Sequence, residues 1–405
     1  INRMMSNSNE HFQFTDERFA DLQMLRYRLN GFEDLTLSQQ IYIYCLAKAT
    51  LMGRDITFDQ QGKYNLRIRK TLEAIYKHYD GDRTSDDFKA LEVYLKRVWF
   101  SSGIYHHYGC EKFKPGFSEH FFYEAVSMMP ETELPLKRGE TKEDLLDELV
   151  PVIFDEEILP KRVNQTDGVD LVATSACNFY ENVTQNEVER FYAKLKDGED
   201  LTPPSYGLNS KLMKRNGEIV EMTWKEDGMY GTAIKEITSW LLKAQKYAEN
   251  EQQAHVIDLL IKYYRTGDLS DFDRYSIAWV KQQEGMVDFI NGFIEVYGDT
   301  AHVICAAMLG GDEYPASAIG INLPNANWIR ETHGSKSVTI GNLTEAYNKA
   351  AHGNGFLDEF AIDQETLDLI NRYGDVTDDL HTDLHECLGH GSGQLLPGVD
   401  PDALK

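Results

Sequence analysis

Several things are scarce or missing in this sequence. Its 405 residues hold five cysteines, an odd number at wide spacings, and none of them forms a CxxC pair. That excludes a dense disulfide framework and a thiolate zinc cluster, and it suits a reducing compartment. No apolar run approaches the roughly 18 residues that a membrane-crossing helix needs. The longest, around residues 41–47 and 303–309, read as buried core segments. Long Lys/Arg runs are absent too, and 41 basic residues stand against 66 acidic ones, a formal charge of −25. A surface of that sign repels nucleic acid and anionic lipid, so neither is expected as a partner. There is no internal repeat and no low-complexity block.

What is present points to a folded chain. The hydrophobic fraction is 42% and the aromatic fraction 11%, carried by 22 Tyr, 19 Phe and 5 Trp. That is ample material for the cores of two or three domains or lobes. The first residue is Ile1, not Met. The expected location is cytoplasmic, with the periplasm after leader removal as the alternative.

Apolar residues recur at helical spacing over 15–25, 36–48, 64–79 and 85–100, the last opened by an N-cap signal at Ser85. The acidic stretch 131–157 reads as solvated. Residues 211–215 and 218–224 flank Asn216-Gly217, a two-residue hairpin signal. Three helices are predicted over 232–248, 251–264 and 269–283. Residues 293–338 are mixed. Helical patterns return over 342–351, 363–372 and 382–390. The fold class read from this is α+β and mostly α-helical.

The chemistry is concentrated in His385-Glu386-Cys387-Leu388-Gly389-His390. Two imidazoles on one helix face can hold a metal, and a Glu beside the first His can act on a water next to it. The spacing is unusual. Side chains five residues apart on an ideal α-helix point about 140° apart, against about 40° for four. His385 and His390 therefore share a metal only if one extra residue is accommodated, as in a π-bulge. Gly389 is the natural place for it, because glycine tolerates unusual dihedrals. A rival pair, His381 and His385, has the ideal spacing of four. His381, however, falls at the expected helix start, which suits a capping or supporting role better. His106-His107 reads as packing in an aromatic segment.

The hexapeptide His385–His390 resembles the motif of the dipeptidyl peptidase III family, zinc exopeptidases marked by this five-residue His spacing. Gly320-Ile-Asn-Leu-Pro-Asn325 resembles the family's substrate-binding strand. Phe293-Ile-Glu-Val-Tyr-Gly-Asp299 resembles its Glu-x-Tyr segment, and Gly391-Ser-Gly393 also fits. The likeness extends along the whole chain, is most specific over 270–405, and is nearest to bacterial, Bacteroides-like members. It implies Zn2+ held by His385 and His390, with Glu386 as general base. It implies Tyr297 as donor to the scissile carbonyl oxygen, and Glu295, Asn322 and Asn325 as the grip on the substrate's N-terminus. Short peptides would be the substrates, pairing along the strand near 318–325.

The resemblance also implies two lobes around a cleft. Residues 1–352 would be the lower lobe, with a small β-barrel core, and 353–405 the start of the upper, zinc-bearing lobe. The family's Glu-Glu-x-Arg-Ala motif, source of a third zinc ligand, does not occur in the 15 residues after His390. Family members also have several tens more residues where Asp299-Thr300 here runs into Ala301. The chain is therefore expected to be part of a longer zinc peptidase, with most of the upper lobe elsewhere. A non-catalytic module that binds peptide N-termini is the alternative reading. An endopeptidase is a third.

Overall fold

The computed structural model describes residues 12–293, 318–351, 353 and 355–391. In chain order the elements are β1 Thr15–Phe19, β2 Leu22–Leu25, α1 Leu37–Met52, α2 Arg54–Gln61, α3 Asn65–His78, α4 Asp86–Ser101, α5 Glu119–Met128 and α6 Lys142–Phe154. Next come α7 Leu171–Thr174, β3 Tyr180–Glu181, α8 Gln185–Ala193, β4 Ser210–Arg215, β5 Glu218–Thr223, α9 Gly231–Gln245, α10 Glu251–Thr266 and α11 Leu269–Lys281. The last are β6 Gly320–Leu323, α12 Asn327–His333, β7 Lys336–Thr339, α13 Gly341–Ala351, α14 Phe356–Phe360 and α15 Gln364–Leu384, which runs into a π-helical turn over His385–His390. The mostly helical α+β reading holds.

The chain packs as two compact units, Thr36–Ser317 and Ile1–Leu35 with Ala318–Lys405. In the first unit, helix starts follow their local chemistry. Thr36 and Thr141 close capping boxes with Gln39 and Asp144, and the Ser85 hydroxyl accepts from the Phe88 N–H. Helices α3 to α6 then bury one face each. Ile68, Leu72, Ile75, Leu91, Leu95, Val98, Phe122, Leu145 and Leu149 all reach 0% exposure in one cluster. Full burial of each such side chain contributes about 1.5–3 kcal/mol. The hairpin of β4 and β5 turns at Asn216 and Gly217, with φ of 52° and 83°, as the Asn-Gly pair predicts.

Four expectations need correction. Residues 15–25 form the β1–β2 hairpin, not a helix; Phe19 pairs with Leu22 around a turn in which Ala20 has φ 49°. In so short a run, Phe19, Leu22, Met24 and Leu25 fit either period. The 131–157 stretch is not simply solvated: α6 buries Leu145, Leu146, Leu149, Val150, Val152 and Ile153 beneath its acidic face. The segments 363–372 and 382–390 are one continuous helix, which Gly374 does not break. Among the described residues no closed barrel forms, only sheets of two, three and two strands. So few strands cannot close on themselves.

In the second unit, β6 and β7 form an antiparallel pair with Asn322 directly opposite Ser337. This pair and α15 with its π turn carry the chemistry. No residue of α15 is buried, and Leu369, Tyr373, Val376, Leu380 and Leu384 are all exposed.

Candidate metal centre

The hexapeptide forms the distorted turn that its spacing requires. His385–His390 is a π-helix, and the Gly391 N–H donates to the Glu386 carbonyl at 2.9 Å, an i to i+5 bond. The extra residue brings the two imidazoles onto one side. Their Nε2 atoms lie 3.0 Å apart, with ring centroids 4.7 Å apart and planes at 78°. Two nitrogens each about 2.05 Å from a tetrahedral ion would stand about 3.3 Å apart. The pair is therefore within a few tenths of an ångström of the spacing an ion needs.

Glu386 completes the cluster. One ligand atom each from His385, Glu386 and His390 lie within 4.8 Å of one another. Both rings are solvent-exposed, whereas Glu386 is 6% exposed and its Oε2 has no hydrogen-bond partner. A buried carboxylate oxygen left open beside two imidazoles fits a centre that takes a cation and a water. The long helix α15 ends here, and the negative end of its dipole favours a cation at this place.

Gly389, the expected source of the bulge, is not among the residues with left-handed backbone. A Cβ there would meet only the Leu384 carbonyl oxygen at 4.0 Å, an ordinary contact. Gly391 is the tighter position, because its Cβ would fall 2.6 Å from the Cys387 carbonyl oxygen. His381 lies inside α15 rather than at a helix start, and it is not part of the three-residue cluster. His106 is engaged locally: its Nδ1 accepts from the Tyr108 and Gly109 N–H groups and its ring stacks on His107 at 4.6 Å.

The strand pair supplies the surroundings. Gly320 faces Glu386 so closely that a Cβ there would sit 2.6 Å from Oε1. Asn322 is 7% exposed; its amide donates toward the Ser335 and Ser337 hydroxyls at 3.0 and 2.8 Å and the Glu386 carbonyl at 3.5 Å. Its Oδ1 is buried without a partner. Asn325 is exposed, and its Oδ1 accepts from Arg330 at 3.1 Å while Arg330 also holds the Pro324 carbonyl at 2.7 Å. Glu295 and Tyr297 lie outside the described residues. Sequence reasoning named neither Gly320 as the close neighbour of Glu386 nor Ser335 and Ser337 as part of the centre. Their only signal was the alternation Ser335-x-Ser337, which puts both hydroxyls on one strand face.

The model of peptidase family M49 matches residues 203–306 and 314–404. The C-terminal half of the chain thus resembles peptidase family M49. Among curated relatives, dipeptidyl peptidase 3 of Mus musculus is 24% identical and that of Homo sapiens 23%, each over 90% of this chain and 60% of its own length. The chain thus spans about 60% of the length of the curated relatives it matches. The structure of dipeptidyl peptidase III from Caldithrix abyssi shares the fold with a TM-score of 0.58 at 17% identity, covering 87% of this chain and 63% of that one. The enzyme from Corallococcus sp. strain EGB gives a TM-score of 0.55 at 13% identity. No helix among the described residues is long and apolar enough to cross a membrane.

Proposed function

We propose that this chain carries the metal-binding and base residues of a zinc dipeptidyl peptidase, which releases dipeptides from the N-terminus of short peptides. The observation that carries the reading is the π turn, which sets His385 and His390 side by side with Glu386 between them and the strand pair. His385 and His390 would hold the ion through Nε2. When bound, zinc supplies Lewis acidity to the scissile carbonyl and acidifies a water. Glu386 accepts a proton from the attacking water at its open carboxylate and returns it to the leaving amine.

Tyr297 would donate to the developing oxyanion. Glu295 would face the substrate's ammonium together with Asn322 and Asn325. The unpartnered Asn322 Oδ1 supports part of this, since it is a buried acceptor in need of a donor. An enzyme that counts two residues from a free N-terminus needs such acceptors at a fixed distance from the metal. We also retain the lobe assignment, 1–352 lower and 353–405 upper.

The test is product analysis on a short peptide by mass spectrometry. The full-length protein should release the N-terminal dipeptide, and a chelator or Glu386→Gln should stop it. Internal cuts would indicate an endopeptidase. Binding without any cleavage would favour the module that only captures N-termini.

A further inference from the structure

A π turn is a rare conformation, and it competes with an ordinary α turn at every step. In the α form the Glu386 carbonyl would take the His390 N–H, and the two imidazoles would diverge by about 140°. Something must favour the Gly391 bond instead. Gly389 has no left-handed backbone that would impose it.

The Glu386 carbonyl has more than one donor. Besides the Gly391 N–H at 2.9 Å, it accepts the Ser337 hydroxyl at 3.2 Å, with the Asn322 amide beyond at 3.5 Å. Ser337 is used in both directions, since its oxygen also accepts from Asn322 Nδ2 at 2.8 Å. Asn322 and Ser337 are cross-strand partners on β6 and β7, so the relay is fixed by sheet register. A carbonyl has two lone pairs. A donor from the strand fills the second of them and fixes the direction of this carbonyl. The residue braced is the one between the metal-binding imidazoles, and it is the base itself.

We infer that Ser337, oriented by Asn322, is a positioning residue that holds the His385–His390 turn in its metal-binding form through the Glu386 carbonyl. The inference rests on the metal-centre reading above. Supporting groups of this kind typically change metal affinity 10- to 100-fold when removed.

The test compares Ser337→Val with Ser337→Thr in the full-length protein. Both are β-branched residues suited to a strand, and they differ in the hydroxyl. Zn2+ affinity is measured by competition with a chromophoric chelator, Co2+ coordination by its visible absorption, and folding by thermal melting. Ser337→Thr should bind within about threefold of wild type, and Ser337→Val at least ~10-fold more weakly with a changed Co2+ spectrum. Their melting temperatures should agree within a few degrees. Equal affinities for the two variants would overturn the brace. So would a loss in Ser337→Val that is fully matched by its loss of folding. A wild-type protein that binds neither ion would overturn the metal-centre reading and the brace with it.

Discussion

Gly320→Ala separates the catalytic geometry from the fold. A Cβ at position 320 would stand 2.6 Å from Glu386 Oε1, 2.8 Å from its Cγ and 3.0 Å from its Cδ. Because Cγ and Cδ are in the way as well as the tip, the side chain must turn as a whole, moving the carboxylate by about 1 Å. A displacement of that size costs up to ~100-fold in rate, about 2.7 kcal/mol of transition-state stabilisation. The backbone at 320 is an ordinary strand conformation, not the left-handed region. Replacing Gly there should restrict the unfolded chain by about 0.4–1 kcal/mol, which offsets part of the clash. The expected outcome is a kcat/KM for dipeptide release lower by about 30- to 100-fold. The melting temperature should stay within a few degrees, and Zn2+ affinity should not change, since neither imidazole is touched. Activity within threefold of wild type would refute the reasoning, as would a loss explained by unfolding.

Two further outcomes concern the larger unit. Asp273 is 9% exposed, and burial, reinforced by Asp268, pushes its carboxyl up to about 6. The native state then holds a proton that the unfolded chain releases near pH 4, so this group's contribution to stability falls as pH rises from about 4 to 6. Asp273→Asn should therefore raise stability by about 1–2 kcal/mol at pH 7.5 and by almost nothing at pH 4, as read by urea unfolding. Burial pushes the Glu249 carboxyl up, but hydrogen bonds from Gln39 and from the Val287 and Met286 N–H groups outweigh it and hold the carboxyl low. Its contribution is present above the ordinary Glu range and lost as pH falls below it. Glu249→Ala should cost about 1–2 kcal/mol at neutral pH and less in acid, because it frees the backbone at 286–287.

Much of this protein was legible from local patterns. The Asn216-Gly217 hairpin, the Ser85 cap and the need for a widened turn between His385 and His390 each follow from a few residues and one geometric rule. What was not legible depended on local patterns that fit two structures, on backbone crowding within the turn, and on partners distant in sequence. A run of eleven residues with four large apolar side chains could not decide between helix and hairpin at 15–25. Gly391, rather than Gly389, is the glycine that the turn crowds, because the crowding comes from a carbonyl four residues back. Gly320 and Ser337 lie some 50 to 66 residues before Glu386, and only the pairing of β6 with β7 and the docking of the turn against them gives these residues a role.

The most direct test is a crystal structure of the full-length protein grown with Zn2+, with anomalous diffraction at the zinc edge. The account predicts one strong peak bonded to both His385 Nε2 and His390 Nε2, with the Glu386 carboxylate beside it and the Gly391 N–H still on the Glu386 carbonyl. A peak bonded to His381 instead, or an α-helical turn with His390 facing away from His385, would contradict it.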